Sequence, residues 1–196
     1  MTVNLTMKNI PPYWKWFNKA RFGLFIHWGP YSAIGRGEQV LMREHMDPVA
    51  YEIQACKWNP RYCDMEKWAR IACAGGMKYA VFTTRHHDGY CLWDTAQTNY
   101  SSVMQAPKRD FVKEYVRAFR QAGFRIGLYY SIADFRIPAW FRGPKKDPEG
   151  WLKVRNCIFE QIKELLTKYG KIDVLWFDGL WPVSYTHLTL PTIYSV

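Results

Sequence analysis

The sequence predicts a parallel α/β fold, the N-terminal half of a TIM-like (β/α)8 barrel built from about four βα units. Three observations carry this. Four short apolar runs alternate with longer stretches of helical periodicity, the order that builds a parallel sheet. The runs are near-continuous rather than alternating, which suits strands covered on both faces. Each run also ends in polar residues, and in a barrel the C-terminal ends of the strands are where sites are assembled. No GxGxxG or P-loop follows the first run, so a doubly wound nucleotide-binding sheet loses its main support.

In chain order, residues 21–29 (RFGLFIHWG) form the first strand candidate, which closes on His27 and a glycine. "DPVAYEIQA" gives a short helix in the long loop that follows. "CDMEKWARIACAGG" is a helix with Asp64 as N-cap and paired glycines as its stop. Residues 77–84 (MKYAVFTT) form the second strand, with His86, His87 and Asp88 just beyond it. A helix then opens at Asp110 (RDFVKEYVRAFRQAG) and leads to the third strand, residues 124–131, with Tyr130, Ser131 and Asp134 at its end. A long helix from Gly150 precedes the fourth strand, residues 171–179, from which Asp178 emerges.

Composition bounds the partners. At 196 residues, 48% hydrophobic and 22% charged, the chain holds one domain with a real core. Ten tryptophans suit either that core or a platform for sugars or bases. A net charge of +10 permits nucleic-acid or anionic-membrane binding. However, Lys and Arg are interleaved with Asp and Glu and no basic run exceeds "PKKD", so the charge reads as a solvated surface with neither partner. Five cysteines without a CxxC pair argue against a disulfide framework and a structural zinc. No apolar h-region opens the sequence and no run nears membrane-spanning length. The placement read from this is cytoplasmic by default, with periplasmic or secreted placement open if the start is misassigned.

The strand ends carry the chemistry. Neighbouring side chains on a strand point to opposite faces, so His86 and His87 serve one site only if the strand stops there. Two imidazoles and a carboxylate suit a metal, a proton relay or a ligand with many hydroxyls. The zinc reading of His86, His87 and Asp88 is the weaker, because adjacent histidines chelate one ion poorly. Asp178 follows the buried run "VLWF". It is either a turn aspartate before Gly179 or a carboxylate held rigidly at a barrel mouth, as a glycosidase nucleophile must be.

Together and in order, "ARFGLFIHWGPYS", "GEQVLMREHM", "TTRHHDGYCLWDT", "GLYYSIADF" and "IDVLWFDG" resemble the catalytic domain of the alpha-L-fucosidases of glycoside hydrolase family 29, over residues 14–182. The resemblance implies a retaining exo-glycosidase that releases terminal alpha-L-fucose from a glycan or glycoside, with no metal or organic cofactor. Asp178 matches the nucleophile that forms a covalent fucosyl-enzyme. His27, Glu38, His86 and His87 match the positions that bond the fucose hydroxyls, and Tyr130 matches a rim tyrosine. Trp28, Trp93 and Trp176 are the candidates for an apolar wall against the C5 methyl. Gln39 stands where the family usually has Trp.

The family's domain continues through the rest of a barrel, where its usual acid/base lies. The resemblance therefore implies a truncated chain, inactive alone, with Glu38 the one carboxylate positioned to stand in. Residues 1–182 are expected to be a partial catalytic barrel. Residues 183–196, "VSYTHLTLPTIYSV", have no family likeness and read as a translated sequencing adapter, an assembly artefact. Two alternatives stay open: a non-catalytic fucose-binding module, and a retaining barrel glycosidase for another sugar. The oligomeric state is not legible.

Overall fold

Four strands, β1 (Gly23–Ile26), β2 (Tyr79–Arg85), β3 (Arg125–Ser131) and β4 (Val174–Asp178), pair in sequence order in one parallel sheet. A computed structural model of the chain describes residues 14–179, so the tail at 183–196 lies outside the described residues. The strand order never reverses, as it would in a doubly wound sheet; it winds in one direction, as barrel strands do.

The strands are shorter than their apolar runs. β1 stops at Ile26, so His27 and Trp28 follow it at the C-terminal end of the strand. Helices α1 (Lys15–Ala20), α2 (Tyr31–Ile34), α3 (Val40–Arg43) and α4 (Pro48–Lys57) flank β1 in the chain. The main crossover helices are α5 (Met65–Ala74) before β2, α6 (Phe111–Gln121) before β3, and α8 (Pro148–Lys168) before β4. Each of α4, α5, α6 and α8 opens on an aspartate, Asp47, Asp64, Asp110 or Asp147, whose side chain accepts an amide N–H three residues on. α8 starts earlier than its apolar pattern predicts because Asp147 caps it and Pro148 fits its first turn. The pattern also missed α7 (Pro138–Lys146), whose Gly143 and Pro144 break the helical period with a kink.

The two sheet faces differ. Ala80, Phe82, Ile126, Leu128 and Tyr130 point outward and join α5, α6 and α8 in the main apolar cluster. Phe25, Val81, Tyr129 and Trp176 take the inner face, where Phe25 and Trp176 remain 40% and 49% exposed. Their rings still touch, with centroids 5.3 Å apart.

A buried ion network locks the outer layer at the strand tops. Arg85 donates to Asp134 at 2.7 Å, to Ser131's carbonyl at 3.0 Å and to the Tyr130 hydroxyl at 2.9 Å. Tyr130 in turn donates to Gln161 of α8 at 2.7 Å, and Arg136 also pairs with Asp134 at 3.0 Å. A buried pair is worth little over an apolar substitute, but losing one partner strands the other charge. Asp134→Ala should therefore cost about 3–5 kcal/mol of stability, read by urea unfolding. A loss below about 1 kcal/mol, the scale of an exposed pair, would mean that Arg85 finds water when its partner is gone.

Candidate functional site

The site begins with an irregularity in β2. Its pairing with β3 shifts between Thr83 and Arg85, so Thr84 is an extra residue in the ladder. Before this bulge the odd-numbered side chains face inward; after it Arg85 faces outward and His86 inward. Thr84 steadies the break by donating its hydroxyl to the Tyr129 carbonyl at 2.8 Å. β2 ends at Arg85, and His87 follows in the turn that begins there. Both imidazoles thus reach one side, with ring centroids 4.1 Å apart. Gly89 completes the turn at φ +73°, where an added Cβ would run into the Asp134 carboxylate.

Thr83 fixes the neighbouring strand end. Its hydroxyl donates to Ile26's carbonyl at 2.5 Å and accepts the Trp28 amide at 3.0 Å, which clamps His27 between them. The His27 ring lies 5.2 Å from His86 and 4.9 Å from Tyr129. Across the sheet, Asp178 is braced at both oxygens: Tyr129's hydroxyl donates to Oδ2 at 2.7 Å and Gly179's amide to Oδ1 at 2.6 Å. His87 Nε2 stands 3.8 Å from Asp178 Oδ2, and its Nδ1 lies 2.6 Å from the Ser131 hydroxyl. Phe25, His27, Glu38, Tyr129, Trp176 and Asp178 line an open cleft of about 500 Å³.

Burial sets the protonation states. It pulls His86 down to about 2, helped by His87 and His27, and His87 down to about 4 against the attraction of Asp178. His27 is lowered as well, again by burial first. Burial drives Tyr129 far above the ordinary phenol range, so it stays a donor to Asp178. Near pH 7 the cleft therefore offers neutral imidazoles, a phenol donor and carboxylates, a mixed set suited to hydroxyl groups. His86, His87 and Asp178 also form a possible metal cluster, with one ligand atom from each within 4.8 Å of the others.

Five of the expected site residues are brought together: His27, Glu38 and Asp178 in the cleft lining, with His86 and His87 packed behind it. Two are placed elsewhere. Tyr130 points to the helix side and serves the Arg85 network; Tyr129, one residue earlier, faces the cleft. Trp28 packs into the outer core against Trp58, Trp68 and Phe111. Trp93 is buried against α8, donating to Glu164 at 3.0 Å, so of the three candidate tryptophans Trp176 lines the cleft. Asp88 is no partner of the histidine pair, since it turns away to accept Tyr51's hydroxyl at 2.7 Å. Tyr129, Thr83 and Phe25 were not anticipated as site residues, and Ser131 was read as a polar strand end with no role of its own. Counting inward positions back from Asp178 through its register with Ser131 would have found two of them.

The alpha-L-fucosidase family model matches residues 2–193 of the chain. Among curated relatives, the tissue alpha-L-fucosidase of Rattus norvegicus is 33% identical, over 91% of this chain and 42% of its own length. Among solved structures, alpha-L-fucosidase isoenzyme 1 from Paenibacillus thiaminolyticus is 42% identical with a TM-score of 0.79, over 85% of this chain and 42% of that one. A fucosidase from Bacteroides thetaiotaomicron, solved as a trapped covalent intermediate with 2-fluoro-fucosyl fluoride, is 31% identical with a TM-score of 0.81. It covers 88% of this chain and 42% of its own. The chain thus spans about two fifths of the length of these relatives.

The lowered histidines fix a pH dependence. An imidazole that resists protonation in the fold, but not when unfolded, contributes stability that is complete above about pH 6.5. That stability drains away as the pH falls from there toward the folded value. Asp88, raised by burial from 3.8 to about 6, acts oppositely below pH 6 and offsets one histidine. Unfolding free energy should therefore fall from pH 6.5 to 4.5 in urea titrations. His86→Gln should make the slope shallower by up to about 1.4 kcal/mol per pH unit. An unchanged slope would show that His86 takes its proton without cost.

Proposed function

This chain belongs to the alpha-L-fucosidase family, and from that premise we propose that its cleft binds a terminal alpha-L-fucosyl group for attack by Asp178. The observation that carries this is the setting of Asp178, a carboxylate held at both oxygens on a strand end, with His87 beside it and Trp176 and Phe25 as walls. In this reading an Asp178 oxygen forms a bond to the anomeric carbon as the bond to the aglycone oxygen breaks, its electron pair leaving with that oxygen. Water then hydrolyses the fucosyl-enzyme. His27, His86, His87 and Glu38 take the ring hydroxyls. A sugar that leaves one of these groups unpaired forfeits about 1–3 kcal/mol, which is the source of selectivity. Trp176 and Phe25 are the apolar surfaces available to the C5 methyl.

Retaining chemistry needs a second carboxyl group about 5–5.5 Å from the nucleophile to protonate the leaving oxygen. Among the described residues, Glu38 is the other carboxylate of the cleft, and this reading already uses it to hold hydroxyls. The chain alone is therefore proposed to turn over ordinary fucosides poorly or not at all.

A fluoride leaving group needs no proton, so 2-fluoro-fucosyl fluoride separates the two halves of the proposal. Mass spectrometry should find one fluorofucosyl adduct on the peptide carrying Asp178, and none in Asp178→Asn. Labelling at Glu38, or fucose binding without any label, would overturn the assignment of the nucleophile. With 4-nitrophenyl fucoside the same preparation should release little or no nitrophenol. Release at the rate of a full-length relative would overturn the second half.

A further inference from the structure

The sugar reading treats His86, His87 and Asp178 as separate hydrogen-bonding groups, yet their ligand atoms converge within 4.8 Å of one another. What surrounds that triangle matches the surroundings of bound metals. Ser131's hydroxyl has Ala133's carbonyl as an acceptor at 2.9 Å, and with that bond made its 2.6 Å contact with His87 Nδ1 is an imidazole N–H donating to Ser131. That assigns the neutral His87 lone pair to Nε2, the nitrogen 3.8 Å from Asp178 Oδ2. A metal-ligating histidine donates its other ring N–H in this manner, and ligating carboxylates are themselves hydrogen-bonded. Asp178 meets the second condition through Tyr129 and Gly179. His86 supplies the third corner: it is buried, and its Nδ1 has no hydrogen-bond partner among the described residues.

We propose that His86, His87 and Asp178 form a binding site for a divalent transition-metal ion of the zinc or copper class. Two imidazoles and one carboxylate oxygen suit these ions, whereas magnesium and calcium favour oxygen ligands alone. Zinc holds such ligands at about 2.0–2.2 Å, which sets tetrahedral edges of roughly 3.4 Å. The three donors therefore need to draw together by about 1 Å, and the fourth position is left to water from the cleft. Asp178 is 38% exposed, so an ion reaches it from solvent. The ion would sit between His87 and Asp178, in the space the fucosyl reading gives to a sugar hydroxyl. Sugar and metal then compete, and this consequence alone rests on that reading.

Isothermal titration of the full chain with zinc chloride tests the site, in a Cys73→Ser background that removes the exposed thiol as a competing ligand. One zinc should bind, and Asp178→Asn should weaken it at least tenfold. Ser131→Ala, which removes the brace and no ligand, should weaken it about 10–100-fold. Independently, 15N imidazole shifts of the metal-free protein should report His87 protonated at Nδ1. Equal zinc affinity in the parent and Asp178→Asn overturns the site, as does a His87 protonated at Nε2. Added L-fucose should raise the apparent zinc Kd. Zinc binding that depends on Asp178 but ignores fucose would uphold the metal site and count against the sugar reading instead.

Discussion

The contact between Phe25 and Trp176 measures the constraint on which the site depends, the curvature of the sheet. Phe25 lies on β1 and Trp176 on β4, with two strands between them. In a flat sheet three inter-strand steps would hold their backbones roughly 14 Å apart. Their ring centroids nevertheless lie 5.3 Å apart, nearly perpendicular, and Tyr129 of β3 packs on Phe25 at 5.8 Å. Only a sheet rolled toward its inner face brings those side chains together. His27 and Asp178 stand at the tops of the same two outer strands, and they share a cleft for the same reason.

Within that curved frame, the β2 bulge decides which charges enter. Without Thr84 as an extra residue, strict alternation would send Arg85 inward and His86 toward the helices. The observed phase puts the guanidinium on the outer side, where Asp134 and Tyr130 satisfy it, and gives the cleft an imidazole. The cleft lining described here holds Glu38 and Asp178 and no lysine or arginine. Burial keeps the flanking histidines uncharged, so nothing in the lining neutralises Asp178 by pairing with it. In the proposed fucosyl reading that balance suits an oxocarbenium-like transition state, because negative charge left uncompensated favours the positive centre.

How far the sequence reached follows from what each signal encodes. The four strands and the caps at Asp64 and Asp110 were legible because apolar runs and capping aspartates are local. His27 and Asp178 were legible because they close such runs. The choice between Tyr129 and Tyr130 was not local: it depends on which face of β3 turns inward, and the register with β4 fixes that. Trp28 was misplaced for a related reason. It follows His27 directly, so a chain still nearly extended must send the two side chains to opposite faces. The pairing of His86 with His87 follows from the same rule: the bulge turns His86 inward, and the end of β2 at Arg85 frees His87 from the alternation that would send it to the other face. The kinked α7 was hidden by its own Gly143 and Pro144.

Curvature and site width are then one variable. Phe25 and Trp176 wall the cleft, and both keep a large exposed surface on the face the sheet curls around. Little apolar burial holds them together on that side, whereas the outer face is locked by the main cluster and the Arg85 network. Flattening the sheet would draw His27 away from Asp178 and open the cleft at once. A ligand that bonds to both strand ends binds the curved form better than the flattened one, so by linkage it stabilises the curvature. Through this coupling, contacts made by a single sugar or ion at the rim reach strands that it does not touch.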